Sequence, residues 1–528
     1  MTDPVTAAPP GSPAAPPHRV SWWPPALAGV LALALGLAVA EAVAGALGRA
    51  ETPVVAVGEE FIDLTPGWLK DLAIELFGIH DKSALLVGMA VVLTVLGALI
   101  GLLTARNRAA GVATAGGLLA VAALAVWNRP DTTEADLVPT LAAGVVALPV
   151  LGWLVRKATT PAAPADDASP GDRRSDRRAF LTAAAVTAGL AVAGGALGRV
   201  LGARRLGVEE SRDDLAASID LPRPDVPDGV DLVVDGAQPW RTPTQDFYRI
   251  DTALSVPLLR AEDWSLRIHG MVENEVELDY QGLVELGLVD RWLTLNCVSN
   301  EVGGNLIGNA LWTGVPIADV LALAKPAAGA DAVLSRSYDG WNAGTPLDVL
   351  TDGRDALFAV GMNGDPLPVE HGFPVRMIVP GLYGYVSATK WVVELEVSRF
   401  ADFEAYWTTR GWAERGPVKV ASRIDAPRGG REVRAGRVAV AGVAWAQHRG
   451  IAAVQVRVDD GDWHDARLAE VPSADTWRQW VWDWDAEPGE HRLQVRAVTS
   501  DGEVQTEEEA RPVPDGATGW HTVTVDVG

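Results

Sequence analysis

The chain contains 528 residues, carries a formal net charge of −24 and has one cysteine. Its length predicts about three or four domains. The acidic balance argues against a nucleic-acid partner, because no basic stripe is available to neutralise phosphates. A single cysteine excludes an intramolecular disulfide framework.

The amino-terminal part contains five apolar stretches, each long enough for a bilayer crossing of about 20 residues. They are residues 26–47, 84–104, 109–127, 137–155 and 179–201. A buried soluble helix is the alternative for any one of them, but five in succession favour a membrane anchor. The predicted segments are a disordered cytoplasmic tail (1–25), a four-helix transmembrane region (26–156), a basic cytoplasmic linker (157–178) and a fifth transmembrane helix (179–203).

Basic and acidic loops alternate between these stretches. Arg106 and Arg108 follow the second stretch, and the basic linker precedes the fifth, whereas the two intervening loops are mostly acidic. The positive-inside rule then predicts a cytoplasmic amino terminus. Everything after Leu201 is predicted to lie on the extracytoplasmic side of the cell membrane.

Paired arginines precede the fifth stretch, in the segment "RRSDRRAFLTAAAVTAGLAVAG", residues 173–194. This segment resembles a twin-arginine export signal, whose pathway moves folded proteins and suits a domain that acquires a cofactor in the cytoplasm. The alternative is ordinary positive-inside charge before a membrane helix. None of the five stretches contains a histidine, so no membrane haem is expected.

Beyond the membrane region, residues 204–236 are polar and rich in Pro and Asp, which predicts a tether. A mixed α+β pattern covers 237–405 and includes the strand "RWLTLNCV", which ends at the cysteine, and the helix "GVPIADVLALAKP". Residues 416–528 show short alternating runs separated by Gly, Asp and Pro turns, which predicts an all-β sandwich. A hairpin is expected at "VDDGDW".

Cys297 lies between an apolar strand and the polar loop "NCVSNEVGG". Simple packing is the alternative for a lone cysteine. A buried structural cysteine would not need this loop, in which Gly303 and Gly304 let the backbone approach a large ligand closely. A thiolate is a soft ligand for a redox metal. Zinc is not expected, because no second Cys or His lies at ligand spacing.

A second polar cluster occurs in "HGFPVRMIVPGLYGYVSATKW", residues 371–391. Arg376 leads an apolar strand, and Ser387 and Lys390 follow a glycine turn. These residue types form a plausible phosphate cradle. A strand–turn–strand with incidental surface charges is the alternative.

Together these segments resemble the sulfite oxidase family of molybdenum–molybdopterin enzymes, from about Trp240 to the carboxyl terminus. The similarity lies in the cysteine loop, in "GNALWTG" (Gly308 to Gly314), in "HGFPVR" (His371 to Arg376) and in "FYRIDTALSVP". The resemblance implies that Cys297 binds molybdenum. It also implies that the pterin and its phosphate are held by Tyr248, Arg249, His371, Arg376, Ser387 and Lys390. The carboxy-terminal part is similar to the family's Ig-like dimerisation domain.

Two departures bear on the substrate. Sulfite oxidases have Arg soon after the cysteine loop, where this chain has Glu301, and another Arg in the turn written here "GYVSATK". Lys390 also lies one residue further from Arg376 than the corresponding lysine of that family. Losing cations makes sulfite a doubtful substrate, and Glu301 would repel an oxyanion. The candidate pocket groups are Asn300, Glu301, Asn305, Tyr338, Asp339 and Trp341. A hairpin turn is the alternative for Tyr338 to Trp341.

The leading hypothesis is a membrane-anchored, extracytoplasmic molybdopterin oxidoreductase. It would catalyse two-electron oxygen-atom transfer to or from a small or protein-bound substrate. Electrons would pass to or from a separate carrier, which could be a quinone, a cytochrome or another redox protein, and the chain would form a homodimer. A narrower alternative is sulfite dehydrogenation or methionine sulfoxide reduction. An alternative of another class is a non-catalytic envelope protein with a degenerate cofactor fold.

Overall fold

The structure is a computed structural model that describes residues 21–47, 52–65, 69, 76, 81–129, 132–159, 170–223 and 225–528. The predicted tail up to residue 20, and residues 160–169 of the predicted linker, lie outside these ranges. The chain divides into two compact units, Met1–Arg205 and Leu206–Gly528.

The described residues of the first unit are mostly helical. Its helices are α1 (Trp23–Leu47), α2 (Pro53–Leu64), α3 (Asp81–Arg106), α4 (Arg108–Trp127), α5 (Val138–Thr159) and α6 (Pro170–Leu206). Among the described residues, five segments are long and apolar enough to cross a membrane: Trp23–Leu47, Ala84–Arg106, Arg108–Trp127, Glu134–Thr159 and Arg178–Val200. These segments coincide with the five predicted stretches, with small shifts at their ends.

Glycine allows α1 and α3 to pack with their backbones in contact. A Cβ atom placed on Gly29 would lie 2.0 Å from the carbonyl oxygen of Gly97, and one on Gly101 would lie 2.0 Å from that of Pro25. Close approach through small residues is the usual way in which membrane helices associate. A larger side chain at either glycine would therefore separate the two helices.

The segment after α1, predicted as an acidic loop, contains the helix α2. Glu59 of this helix pairs with Arg129 at 2.6 Å, and both side chains are largely buried. A largely buried ion pair requires defined geometry to offset its desolvation. This pair therefore fixes α2 against the chain that follows α4.

The second unit begins inside the predicted tether. Helix α7 (Val208–Ser218) is bound to the second unit through Ser211, whose hydroxyl donates to Glu262 at 2.7 Å and accepts from the backbone N–H of Ala261 at 3.0 Å. Arg212 also donates to the carbonyl of Pro366 at 3.3 Å. The prediction of a tether over 204–236 is therefore wrong for helix α7. Its polar side chains suggested exposure to solvent, but they bind other residues of the second unit.

Residues 237–405, predicted as a mixed α+β domain, contain ten strands and three α-helices among the described residues. Its strands are β1 (Ser265–Gly270), β2 (Val276–Asp279), β3 (Val289–Asn296), β4 (Ile307–Pro316), β5 (Ala332–Ser337), β6 (Asn342–Pro346), β7 (Leu357–Met362), β8 (Asp365–Pro366), β9 (Arg376–Ile378) and β10 (Val392–Ser398). Its helices are α8 (Tyr280–Val284), α9 (Ile317–Ala324) and α10 (Leu347–Thr351). One sheet has the order β2-β1-β10-β5-β6, and another has the order β3-β4-β7-β8, with β9 paired to β7.

Large aromatic residues fill the core between these elements. Trp264 and Trp312 are almost fully buried, and each indole N–H finds a backbone carbonyl, that of Val392 at 2.7 Å and that of Leu293 at 3.2 Å. A buried indole N–H that lacks a partner is costly, so these bonds fix the ring orientations. They hold β3, which leads to the cysteine, against the core.

Residues 421–527 form two β-sheets. The strands are β11 (Ala421–Ala426), β12 (Glu432–Val433), β13 (Gly436–Trp445), β14 (Ile451–Val458), β15 (His464–Asp465), β16 (Arg467–Leu468), β17 (Arg478–Ala486), β18 (Gly489–Thr499) and β19 (His521–Val527). The sheet orders are β11-β13-β17-β16 and β12-β19-β18-β14-β15. Val440, Trp480, Val454 and Val525, drawn from both sheets, share one buried core. The predicted hairpin joins β14 to β15.

A pair of tryptophans joins this β domain, residues 416–528, to the mixed part. The indole of Trp240 donates to the carbonyl of Trp477 at 3.3 Å, and the indole of Trp477 donates to the carbonyl of Trp240 at 2.9 Å. Neither side chain is exposed. Thr294 of β3 adds two bonds, donating its N–H to the carbonyl of Asp475 and accepting from the N–H of Trp477. The strand that precedes Cys297 is therefore bound to the β domain.

Candidate functional site

Cys297 lies directly after β3, at the start of a loop that returns the chain to β4. We call residues 297–306 the cysteine loop. The N–H of Cys297 donates to the carbonyl of Leu306 at 3.0 Å, and the N–H of Leu306 donates to the Asn300 side-chain oxygen at 2.8 Å. These bonds close the loop across its base. Asn300, a predicted pocket residue, therefore has a structural role in the loop.

The thiol of Cys297 is free and partly buried. Its sulfur lies 2.8 Å from the hydroxyl oxygen of Ser299, a contact that the sequence alone did not indicate. Burial raises the pKa of the thiol, while the bond to Ser299 and the charge of Lys390 act in the opposite direction. A thiol in such a setting becomes a thiolate when a cation binds to it.

Arg376 is a buried cation at the start of β9. Its Nη1 donates to the carbonyl of His371 at 3.1 Å, its Nη2 donates to that of Ala388 at 3.4 Å, and its guanidinium lies 5.4 Å from the ring centre of Trp312. Burial lowers the pKa of Arg376 to about 10. Its Nε has no hydrogen-bond partner in the described part of the chain. A buried cation with an unused donor favours an anionic ligand.

Lys390 is a second buried cation, and it has a carboxylate partner. Its Nζ lies 3.0 Å from Asp251 Oδ2 and 3.0 Å from the carbonyl oxygen of Glu370. Burial lowers the pKa of Lys390 to about 8, although Asp251 acts to raise it. Asp251 also pairs with Arg249 at 2.9 Å, so one carboxylate joins two predicted cofactor-binding residues. Asp251 was missed, although it lies within the quoted "FYRID" segment.

Burial and the charge of Arg376 both affect the pKa values of His371 and Tyr248. Burial, reinforced by Arg376 and Lys390, lowers the pKa of His371 to about 3, so its imidazole is neutral at physiological pH. Burial raises the pKa of Tyr248, with Cys297 adding to the increase and Arg376 opposing it. Tyr248 therefore keeps its proton. The structure thus brings Cys297, Tyr248, Arg249, His371, Arg376 and Lys390 together.

Ser387 is also in this region, but its hydroxyl is used locally. It is fully buried and lies within bonding distance of the carbonyls of Tyr383, at 2.9 Å, and Leu382, at 3.3 Å. Its single proton therefore stabilises the turn that precedes Lys390. The contact of Ser387 with the cofactor stays a prediction.

The remaining predicted pocket residues are more exposed. Glu301 and Asn305 lie on the surface of the cysteine loop. Tyr338, Asp339 and Trp341 lie in the hairpin turn between β5 and β6, where the N–H of Trp341 bonds to the Asp339 carboxylate at 3.2 Å. Tyr338 to Trp341 therefore form the hairpin turn that was the alternative to a pocket loop. The turn adjoins the site, because the N–H of Tyr338 donates to the carbonyl of Trp391 at 2.8 Å.

Several buried polar atoms around the site lack a hydrogen-bond partner within the described residues. They include Asn296 Oδ1, Ser337 Oγ and Arg376 Nε. Such atoms are rare in folded proteins and commonly indicate a missing ligand. With a free thiol and two cations nearby, they fit a large anionic group with many hydrogen-bonding atoms and a metal that accepts a thiolate ligand.

Comparisons with known proteins agree with this chemistry. Residues 253–407 match the family described as oxidoreductase molybdopterin binding domain. Mitochondrial sulfite oxidase of Drosophila melanogaster is 27% identical over 324 residues, covering 51% of this chain and 56% of that protein. The mouse enzyme is 28% identical, covering 56% and 63%. Sulfite oxidase of Arabidopsis thaliana is 27% identical, covering 54% and 88%. The chain thus spans about three-fifths of the animal relatives.

Among solved structures, the sulfane dehydrogenase SoxCD from Paracoccus pantotrophus has the same fold. The TM-score is 0.50 at 23% identity, and the match covers 55% of this chain and 82% of that one. The matched family domain implies a molybdenum–molybdopterin cofactor. Residues 253–407 are therefore a molybdopterin-binding oxidoreductase domain, and the chain is similar to sulfite oxidases over about half of its length.

Proposed function

We propose that this chain is a membrane-anchored oxidoreductase that transfers an oxygen atom to or from a substrate outside the cytoplasm, while two electrons pass in the opposite direction. The observation that carries the proposal is the convergence of the free thiol of Cys297 with Arg376 and Lys390, beside buried polar atoms that lack partners. No other described part of the chain combines a soft metal ligand with buried cations.

The residues divide into two groups by chemistry. Cys297 would ligate molybdenum. The pterin and its phosphate would be held by Tyr248, Arg249, His371, Arg376 and Lys390. When bound, the cofactor would supply a metal that takes up two electrons as an oxygen atom joins the substrate, or returns two electrons as an oxygen atom leaves it.

The protein residues set the charge and proton balance around that group. The neutral imidazole of His371 adds no charge beside two cations, and Tyr248 retains a proton with which it can donate a hydrogen bond. Lys390 is charged below about pH 8 and can bind an anion. Asp251 pairs with both Lys390 and Arg249, so one carboxylate positions both cations.

The substrate is proposed to be a sulfur compound that carries less negative charge than sulfite. The names of the relatives, sulfite oxidase and sulfane dehydrogenase, indicate oxidation of sulfur compounds by those proteins. Glu301 is exposed on the cysteine loop, where its charge would repel an oxyanion that approaches from that side. Sulfoxide reduction and sulfite dehydrogenation are the two specific reactions to compare.

The five apolar helices and the alternating basic loops support an anchor that leaves the second unit outside the cytoplasm. Electrons would pass to a separate carrier, such as a quinone or a cytochrome. The two-sheet β domain would act as an Ig-like dimerisation module. A non-catalytic envelope protein is not favoured, because the chain contains a matched oxidoreductase domain.

Elemental analysis and pterin extraction of the detergent-solubilised full chain test the proposal directly. We expect about one molybdenum per chain after growth with ample molybdate, since one cysteine would supply one metal site. A preparation without molybdenum or pterin would overturn the proposal. An activity screen with sulfite and methionine sulfoxide, using an artificial electron carrier, then decides between the two reactions. Arg437→Gln, a change in an exposed ion pair with Asp483, serves as the surface control.

A further inference from the structure

We infer that the carboxy-terminal β domain fixes the cysteine loop through Arg423 and His521, and that both are positioning residues for Cys297. This inference rests on the proposed function, because it concerns the loop whose cysteine would bind the metal. The β domain would then be part of the active site in addition to any role in dimerisation.

Arg423 projects from β11 towards the cysteine loop. Its Nη1 donates to the carbonyl oxygen of Gly304 at 2.7 Å, and its side chain is only 7% exposed. Its Nε donates to Asp425 at 2.6 Å, and Asp425 also accepts from the N–H of Gln238. Because Asp425 balances the charge, the guanidinium can serve as a fixed, charge-assisted donor to a neutral peptide group.

His521, the first residue of β19, packs its ring against Gly303. A Cβ atom on Gly303 would lie 2.2 Å from both Cδ2 and Nε2 of the ring, and the φ angle of Gly303 is +77°. Glycine is therefore required here for two independent reasons. The ring is held in place because its Nδ1 accepts the N–H of Ile424 at 3.0 Å, which assigns the neutral ring's proton to Nε2.

The loop transmits these contacts to the cysteine through its own hydrogen bonds. The N–H of Gly304 donates to the carbonyl of Glu301 at 2.9 Å, and the N–H of Asn300 donates to the carbonyl of Cys297 at 3.1 Å. Two successive turns therefore connect the clamped glycines to the sulfur-bearing residue. A shift at Gly304 would move this chain of bonds as a whole.

The β domain also binds the chain on the other side of Cys297. The side-chain amide of Gln447 donates to the carbonyl of Thr294 at 3.3 Å, and the N–H of Thr294 donates to the carbonyl of Asp475 at 3.0 Å. Cys297 is thus held between two attachments to the same domain. The position of its sulfur depends on residues more than 100 positions away along the chain.

The single cysteine allows this inference to be tested without catalysis. Full-length chain from cells grown without molybdate is solubilised in detergent, and the alkylation rate of Cys297 is measured by mass spectrometry. Arg423→Gln is expected to raise the rate about tenfold, because opening the loop no longer breaks a charge-assisted hydrogen bond. For Arg423→Lys, which keeps the charge and one donor, the alkylation rate should lie between those of the wild type and Arg423→Gln.

Arg478→Gln is the matched control, because Arg478 is another β-domain arginine that donates to two backbone carbonyls, those of Ala469 at 2.7 Å and Ile451 at 2.9 Å. Those bonds do not involve the cysteine loop, so its alkylation rate should equal that of the wild type. Equal rates for Arg423→Gln and Arg478→Gln in folded protein would overturn the inference. If Arg423→Gln fails to fold, His521→Ala takes its place with the same expected and contradicting outcomes.

Protein from cells grown with molybdate separates this inference from the proposed function. A wild type without molybdenum would refute the proposed function, while the alkylation comparison would still decide the role of Arg423. In loaded protein that is partly reduced so that Mo(V) accumulates, Arg423→Gln should alter the paramagnetic resonance signal of the metal, and in turnover it should lower kcat more than it changes KM. Arg478→Gln should leave that signal unchanged.

Discussion

The ammonium of Lys390 lies 3.0 Å from the carboxylate of Asp251, and at most a tenth of either side chain is exposed. The two residues are 139 positions apart. Burial lowers the pKa of Lys390 to about 8, and Asp251 limits that decrease. The charge of the candidate cofactor site is therefore poised to change just above neutral pH.

This pair predicts a pH limit for cofactor retention. As pH rises through the pKa of Lys390, the ammonium loses its charge and its attraction for an anionic ligand. A bound anion itself raises that pKa, so the midpoint for molybdenum loss from the wild type should lie at or above pH 8. Asp251→Asn should move the midpoint to lower pH, because the carboxylate that supports the charge is gone. Molybdenum retained after gel filtration at a series of pH values measures this, with Asp365→Asn as an exposed control.

Arg376→Gln should separate folding from cofactor binding. The variant loses hydrogen bonds to two carbonyls but no longer buries an unbalanced charge, so the unfolding free energy of the cofactor-free chain should change by less than about 1 kcal/mol. Pterin content should fall to the detection limit. Chemical denaturation and pterin extraction give the two values. A large loss of stability with full pterin content would contradict the assignment.

Arg354→Gln is the comparison variant for Arg376→Gln, and we expect it to affect stability but not cofactor content. The side chain of Arg354 is 12% exposed, pairs with Asp352 and donates to the carbonyl of Pro380 at 2.8 Å. Its bonds are satisfied within the protein, so the variant should lose about 2 kcal/mol of stability. Its molybdenum and pterin content per folded chain should equal that of the wild type.

Cys297→Ser tests the metal ligand. Serine fits the same space, and its hydroxyl can still bond to Ser299, so the melting temperature of the cofactor-free chain should stay within about 2 °C of the wild type. Molybdenum content and turnover should be lost, since a hydroxyl is a poor soft ligand. Much of the pterin contact set is unchanged, so some pterin should remain. Wild-type activity in this variant would refute the ligand assignment.

His521 predicts acid sensitivity of the second unit. Burial, together with Arg423, lowers its pKa to about 4, and Asp425 acts to raise it. Between about pH 6.5 and pH 4 the unfolded chain therefore binds more protons at this residue, so stability falls as the pH falls. His521→Phe should show a shallower decrease in melting temperature over this range, whatever its stability at pH 7. An identical slope in both proteins would contradict the prediction.

Membrane sidedness can be measured on spheroplasts with two epitope tags. A tag after Gly528 should be removed by protease added to intact spheroplasts. A tag inserted between residues 160 and 169 should survive until the membrane is opened. The reverse pattern would place the second unit in the cytoplasm.

Local sequence patterns predicted the elements that lie next to the site. The apolar run "RWLTLNCV" predicted a strand that ends beside Cys297, and this strand is β3. The two glycines of the following loop were predicted to let the backbone approach a ligand, but their closest neighbours are His521 for Gly303 and Asn300 for Gly304. The apolar stretches and the two β-sheets were recognisable for the same reason, because periodicity and run length are properties of short segments.

Contacts between distant segments could not be predicted in this way. The bond from Arg423 to Gly304 joins residues 119 positions apart, and nothing near either residue identifies its partner. Helix α7 was missed because its polar residues bind to other polar groups rather than to water. The hydrogen bond between the Ser387 hydroxyl and the carbonyl of Tyr383 could not be predicted either, because only the folded turn brings the two groups together.

The reciprocal indole bonds between Trp240 and Trp477 have a practical implication for anyone trimming this protein. Ending the chain near residue 416, where the composition changes, would remove Trp477 and expose the side chain of Trp240, which is buried in the full-length protein. We therefore expect such a fragment to aggregate rather than to behave as a minimal enzyme. Exchange of the β domain between homologues should succeed only when the residues that contact it around Trp240 are exchanged together with those around Trp477.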